Sequence, residues 1–419
     1  MKKIITSSET NKNFRRRAID FIDFKTIGIV ILLISAGLLS LYSTTYEASS
    51  IFIFYKQLIF TGIGFGILLF VLIIPENWIK FNSVLIYIIS IALLIGVLFF
   101  GKTVSGTQGW FQIANFSFQP AEFAKIATLL LVSRFLSQKG IDIKNLRDLL
   151  TVLAMFALPT TLIILQPDMG SASVLIVLLL GVLFWVGFDL LLLYFIGFIP
   201  FVLTLPLLGV EYFIGSVFFF SITAIFFRKN LLKTLTLIAL IFAIGYFSTE
   251  IIRIMPQNTQ DRIETFLHPE SDPLNKGYNV MQSVLAVGSG GFSGKGYLKG
   301  SQTQLRYIPE QRTDFIFCVP TEEFGFIGGI IVIGLYILLV LRILTIAKDL
   351  NNQFFSILSF GIAITLLYHA IVNIGMVLRL IPVMGIPLPF MSYGGTALIV
   401  NLIMVALLLK AYSSQKKNY

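Results

Sequence analysis

Long apolar runs separated by short polar gaps dominate the chain. Ile27–Leu41, Leu58–Ile74 and Val84–Phe100 contain no charged residue, and each approaches the ~20 residues that a helix needs to cross ~30 Å of hydrocarbon. The pattern predicts about twelve membrane-crossing helices, near 25–44, 51–74, 81–100, 121–137, 148–165, 171–187, 190–209, 212–227, 232–252, 324–346, 354–378 and 391–411. A polar stretch at 253–323, without a clear helical or strand period, interrupts the series. A gap of that length inside a compact protein is usually functional or disordered. Its aromatic residues and its Gly and Pro punctuation favour an ordered loop. The expected organisation is a tail at 1–24, a bundle over 25–252, a large loop at 253–323, three further spans over 324–411 and a tail at 412–419. The fold class is all-α and polytopic.

Charge orients the spans. With the N-terminal tail placed in the cytoplasm, the inner loops hold Lys80; Lys139, Lys144 and Arg147; Arg228, Lys229 and Lys233; Arg342 and Lys348; and Lys416 and Lys417. The short outer loops keep only Lys102 and Arg379. Lysine and arginine gather on the cytoplasmic side of membrane proteins, so both termini are expected inside and the 253–323 loop outside. Composition agrees with a lipid solvent: 56% of the 419 residues are hydrophobic and 12% charged, more apolar surface than a soluble chain of this length hides. The net charge of +10 then reflects orientation rather than nucleic-acid binding. One cysteine excludes an internal disulfide, and two histidines argue against a His/Cys metal site. No cofactor is expected, although carboxylates alone leave a divalent-cation requirement open. The basic N-terminus lacks the short apolar region and cleavage site of a signal peptide, so the first span is expected to direct insertion.

Several polar groups could carry chemistry. The run GSGGFSGKG at 288–296 fails as a nucleotide phosphate loop, because Gly296 follows Lys295 and Ser289 replaces the first glycine. Its amides could still form an anion nest, and a packing hinge is an equal reading. Asp272, in HPESDPLNKGY, could be a general base in a partly desolvated cleft or a turn-initiating residue before Pro273. Asp168, in QPDMGSAS, could cap a helix or face a cavity. Glu122 and Lys125, in QPAEFAK, share a helix face, as a structural ion pair or as a lysine that meets phosphate. His369 and Asn373 lie four apart on one span and favour interhelical hydrogen bonds over metal.

Taken together, the motifs resemble one family. QPAEFAK, QPDMGSAS, HPESDPLNKGYNVMQS, GSGGFSGKG, GSQTQLRYIPEQRTDFIF with EEFG, and the run from Asn373 through GIPLPFMSYGGT follow one another in the order of the SEDS (shape, elongation, division, sporulation) family of RodA, FtsW and SpoVE. GSQTQLRYIPE and GIPLP are nearer its elongation members than its division members. The resemblance covers most of the chain. It implies a peptidoglycan glycosyltransferase that polymerises lipid II at the outer leaflet and releases undecaprenyl pyrophosphate. It also implies a class B penicillin-binding transpeptidase and other elongation-complex membrane proteins as partners. The resemblance makes Asp272 the catalytic base. It gives Lys125, helped by Lys56, the leaving-group charge, with Glu122 orienting Lys125, Asp168 lining the cavity, and Lys295 among the substrate-binding residues. Glu310, Asp314, Glu322 and Ser392 are expected to support the loop. Three family positions differ: Gly109 precedes Trp110, Ser117 stands two before QPAE, and Ala121 replaces a serine. The absent arginines suggest that Arg379 partly supplies their charge. The family commonly has ten spans, so the pair near 212–227 and 232–252 is additional. A flippase of the lipid-linked precursor is the alternative reading, and a non-catalytic scaffold a weaker third.

Overall fold

A computed structural model describes residues 22–46, 50–104, 106–113, 116–226, 230–254, 257–268 and 276–417. Helix α1 (Phe24–Thr45) is followed by α2 (Phe52–Ile73) and α3 (Glu76–Phe100). Strands β1 (Lys102–Val104), β2 (Thr107–Ile113) and β3 (Phe116–Phe118) then precede α4 (Pro120–Leu136), α5 (Leu146–Ile164), α6 (Met169–Trp185), α7 (Leu190–Thr204), α8 (Val210–Phe226) and α9 (Leu231–Tyr246). After α10 (Ser248–Arg253), the polar stretch holds α11 (Gln257–Leu267), α12 (Lys276–Ser289), α13 (Ser301–Gln304) and α14 (Cys318–Glu323). Three long helices close the chain: α15 (Gly325–Asp349), α16 (Gln353–Val377) and α17 (Gly395–Lys417).

Eight of these helices are long and apolar enough to cross a membrane: α1, α2, α3, α5, α7 with its 3₁₀ extension, α15, α16 and α17. Helices α4, α6, α8 and α9, of 16 or 17 residues, match the other four predicted runs. At 1.5 Å per residue they are slightly shorter than the ~30 Å hydrocarbon layer. Where side chains cannot mark the helix starts by polarity, capping does. Asn145, Asp168, Asp189, Asn230 and Asn352 each accept a bond from a backbone N–H in the first turn that follows.

The core lies around α4, α16 and α17. In α16 and α17, 72% of the most apolar window is buried by protein, against 22% in α2, α3 and α5, whose outer faces are left to lipid. Almost all of α4 is enclosed, flanked by α3 and α16. Helices α7–α9 form a second unit with its own core of Leu191, Phe198, Val202, Phe220, Ala224, Leu237 and Ile241. The Tyr194 and Phe220 rings stack at 5.1 Å there, and Lys233 pairs with Asp189 at 2.5 Å.

Two features depart from the periodicity reading. Strands β1, β2 and β3 form an antiparallel meander in that order, with Lys102 opposite Trp110 and Phe111 opposite Phe118. Strands β1 and β3 have three residues each, and the seven of β2, TQGWFQI, do not alternate between apolar and polar. The 253–323 stretch, expected as an ordered loop without a clear helical or strand period, contains the short helices α11–α14 among its described residues. The 232–252 run divides at Phe247 into α9 and α10, and α17 starts at Gly395 rather than near 391.

Candidate active site

A cavity of about 510 Å³ opens where the meander, the polar stretch and the turn before α17 converge. Trp110 and Thr107 come from β2 and Gln119 from the start of α4. Asp168 comes from the α5–α6 turn, Arg262 from α11 and Asn279 from α12. Glu310, Thr313 and Asp314 come from the segment before α14, and Gly385, Pro387 and Tyr393 from the turn before α17. All belong to segments that the charge pattern assigns to the outer side. A separate cavity of about 460 Å³ lies at the other end of α2 and α17, lined by Ile22, Pro75, Glu76 and Lys410, and contains none of the expected site residues.

Each wall has an identifiable support. Gln108 N–H donates to the Gln166 carbonyl at 3.2 Å, and Thr396 Oγ1 donates to the Ser117 carbonyl at 2.9 Å. These bonds tie the meander to the α5–α6 turn and to α17. Asp168 both caps α6, accepting from Ser171 N and Oγ, and accepts from Gln119 Nε2 at 3.0 Å across the cavity wall. Its two sequence readings are therefore compatible. The Glu310–Asp314 segment is held from two sides, the turn before α17 and α16. Ser392 Oγ donates to the Thr313 carbonyl at 2.6 Å, Tyr393 N–H to the Arg312 carbonyl at 2.8 Å, and Asn373 Nδ2 to the carbonyls of Asp314 and Ile386, each at 2.8 Å. Gly385 sits at φ +69° in the facing turn, a conformation that disfavours any side chain. Burial, then the charge of Glu310, pushes the Asp314 carboxyl up to about 7, with Arg262 opposing.

The other expected residues lie elsewhere. Lys125 is 2% exposed, donates to Glu122 Oε1 at 2.7 Å and meets His369 Nε2 at 3.1 Å. It is a member of a closed trio, and the structure does not bring Lys125 or Glu122 to the cavity wall. Lys295 pairs with Glu322 at 2.8 Å. Glu322, fully buried, also accepts from the amides of Gln302 and Thr303 at 2.9 Å and from Thr303 Oγ1. The amides of Lys295 and Gly296 donate to the carbonyls of Glu322 and Glu323, so this part of the glycine run clasps α14. Gly294, at φ +80°, lies too close to the Glu323 backbone to admit a Cβ. Lys56 lies over the Phe60 ring at 5.8 Å, and Arg379 is exposed at φ +56°; neither is part of the cavity lining. Asp272 lies outside the described residues. Arg262 and Asn279, which the sequence reading passed over, belong to the helices on either side of it in the chain. Among the described residues no group of His, Cys, Asp and Glu is arranged to hold a metal ion.

The family model for FtsW, RodA and SpoVE, described as "Cell cycle protein", matches residues 18–214 and 212–417. The chain belongs to the FtsW/RodA/SpoVE family. It is 31% identical to the peptidoglycan glycosyltransferase RodA of Treponema pallidum (strain Nichols), over 96% of this chain and 100% of the relative. It is 35% identical to the peptidoglycan glycosyltransferase MrdB of Escherichia coli (strain K12), over 81% of this chain and 79% of the relative. Stage V sporulation protein E of Bacillus subtilis (strain 168) is 32% identical over 92% and 96%. In fold, the chain resembles one from a peptidoglycan synthase complex solved for its coordination of polymerization and crosslinking. The TM-score is 0.72 at 24% identity, covering 94% of this chain and 98% of that one. It also resembles the rod shape determining protein RodA of Thermus thermophilus, with a TM-score of 0.63 at 23% identity, over 94% and 97%. Membership of this FtsW/RodA/SpoVE family makes the chain a multi-pass membrane protein, and the all-α bundle is the family fold.

Proposed function

We propose that the chain is a peptidoglycan glycosyltransferase that polymerises lipid II at the outer face of the cytoplasmic membrane during elongation, with both termini inside. The observation that carries the reading is the composition of the outer cavity. An aromatic ring (Trp110), two amides (Gln119, Asn279), three carboxylates (Asp168, Glu310, Asp314) and one guanidinium (Arg262) converge on it. Hydroxyl-rich sugars suit such a wall: carboxylates and amides exchange hydrogen bonds with hydroxyls, and the indole face covers the sugar's C–H surface. The names of the relatives support the same chemistry.

In the proposed reaction, Asp272 removes the proton from a sugar hydroxyl of the acceptor as that oxygen attacks the anomeric carbon of the donor. The new glycosidic C–O bond forms while the bond to the pyrophosphate oxygen breaks, and undecaprenyl pyrophosphate leaves with the electron pair. Asp168, Gln119 and Trp110 position the sugars. Glu310 and Asp314 shape the wall, and Glu322 with Lys295 braces it from behind. A class B penicillin-binding transpeptidase and other elongation proteins are the proposed partners, in line with the synthase complex that this fold resembles.

The test is polymerisation of labelled lipid II by the purified protein with its cognate transpeptidase, parent beside Asp272→Ala. Glycan chains from the parent and none from a folded variant are expected. Equal chains from both would remove Asp272 from the mechanism. Absence of chains from both, with lipid II translocated across vesicles, would replace the polymerase by a flippase.

A further inference from the structure

Two side chains of the cavity wall carry buried polar atoms that no described residue uses. Arg262 Nε and Nη1 and Asn279 Oδ1 have no hydrogen-bond partner among the described residues. They reach the same cavity from α11 and α12, the helices that flank Asp272 in the chain. Leaving a guanidinium edge desolvated and unbonded is costly, so a natural protein retains it where a ligand completes it. Asp168 and Asp314 act on Arg262 through charge, yet no described ion pair includes it. An arginine that served only to neutralise those carboxylates would pair with one of them. Arg262 is also the one cation among the described residues lining the cavity.

We propose that Arg262 is the contact for the pyrophosphate of a polyprenyl-linked donor, with Asn279 Oδ1 accepting from a hydroxyl or amide N–H of the attached sugar. The assignment rests on the glycosyltransferase reading of the cavity and names the residue that meets the leaving group there. The guanidinium keeps its charge at any working pH, and its planar donors match phosphoryl oxygens. Charge grows on the pyrophosphate's bridging oxygen as the bond between it and the donor's anomeric carbon breaks. A fixed donor at that position therefore stabilises the transition state more than the bound substrate. Lys125 is not placed for this task, since Glu122 and His369 enclose its ammonium group.

The experiment uses the full chain in lipid nanodiscs and compares binding of a polyprenyl pyrophosphate with binding of the matching neutral polyprenol. Arg262→Gln is expected to weaken pyrophosphate binding about 10- to 100-fold, the range for losing charge-assisted hydrogen bonds. Polyprenol binding should stay at the parental level, which also reports an intact fold. Arg262→Lys keeps the charge and should recover part of the preference. With lipid II, Arg262→Gln should lower kcat more than it raises KM. If both ligands bind the Gln variant as they bind the parent, or both weaken equally while the Lys variant retains the parental preference, the contact is overturned. A parent that prefers the pyrophosphate but makes no glycan would instead overturn the glycosyltransferase reading and leave Arg262 as an anion contact.

Discussion

Asp314 is subject to two opposed influences: burial and the neighbouring Glu310 favour its neutral form, and Arg262 favours its charged form. The first pair wins, and its pKa of about 7 places the change of charge inside the working range of a cell. Between its ordinary value near 3.8 and about 7 the folded protein holds a proton that the unfolded chain has released. This site therefore removes stability as pH rises through that interval. The same step adds up to one negative charge beside the guanidinium assigned to phosphate. Apparent KM for lipid II is accordingly expected to rise between pH 6 and pH 8, and to be flat in Asp314→Asn. Steady-state kinetics at three pH values decide it; an unchanged slope in the variant would assign the titration to another group. Asp168, Glu310 and Asp314 were legible in the sequence because motif position singles them out. Arg262 was not, since Gln260, Asp261 and Glu264 around it make the segment look like ordinary solvated loop. Only packing against α12 and the turn before α17 turns it inward.

Among the elements, the pair α8–α9 packs with α7 around its own core and touches the main bundle chiefly through α7. The family match runs in two parts that meet at 212–214, within α8. Phe220→Ala removes the ring that Tyr194, Phe195 and Phe198 surround. The expected cost is about 1–3 kcal/mol, below the ~3–5 of aromatic truncation in soluble cores, because helices in lipid gain packing but little hydrophobic transfer. Thermal unfolding in detergent measures that cost, and lipid II turnover below the melting range should stay within about twofold of the parent. A collapse of turnover with a small change in melting would show that the unit shapes the cavity. The twelve apolar runs were readable from hydropathy alone because lipid demands them. The meander and α11–α14 were not, since short elements take their form from contacts distant in sequence, such as Thr396 on Ser117 and Gly296 on Glu323. The glycine run was ambiguous for the same reason: its spacing suits both an anion nest and a packing hinge, and the amides of Lys295 and Gly296 instead pack on α14.

For the whole molecule, sidedness decides everything proposed above, because the cavity is useful for lipid II polymerisation only if it opens outward. Cys318 is the sole cysteine of the chain, and it is buried at the start of α14. Burial pushes its thiol pKa up, so almost none of it is the reactive thiolate at neutral pH. The wild-type chain is thus a nearly silent background for maleimide labelling. A cysteine introduced at exposed Tyr307 (Tyr307→Cys) is expected to react with a membrane-impermeant maleimide on intact cells, and Lys139→Cys only after the membrane is opened. The opposite pattern would invert the molecule and close the cavity to the outer leaflet. A thiol hidden at the start of α14 thus makes the orientation of the protein measurable without first removing any native residue.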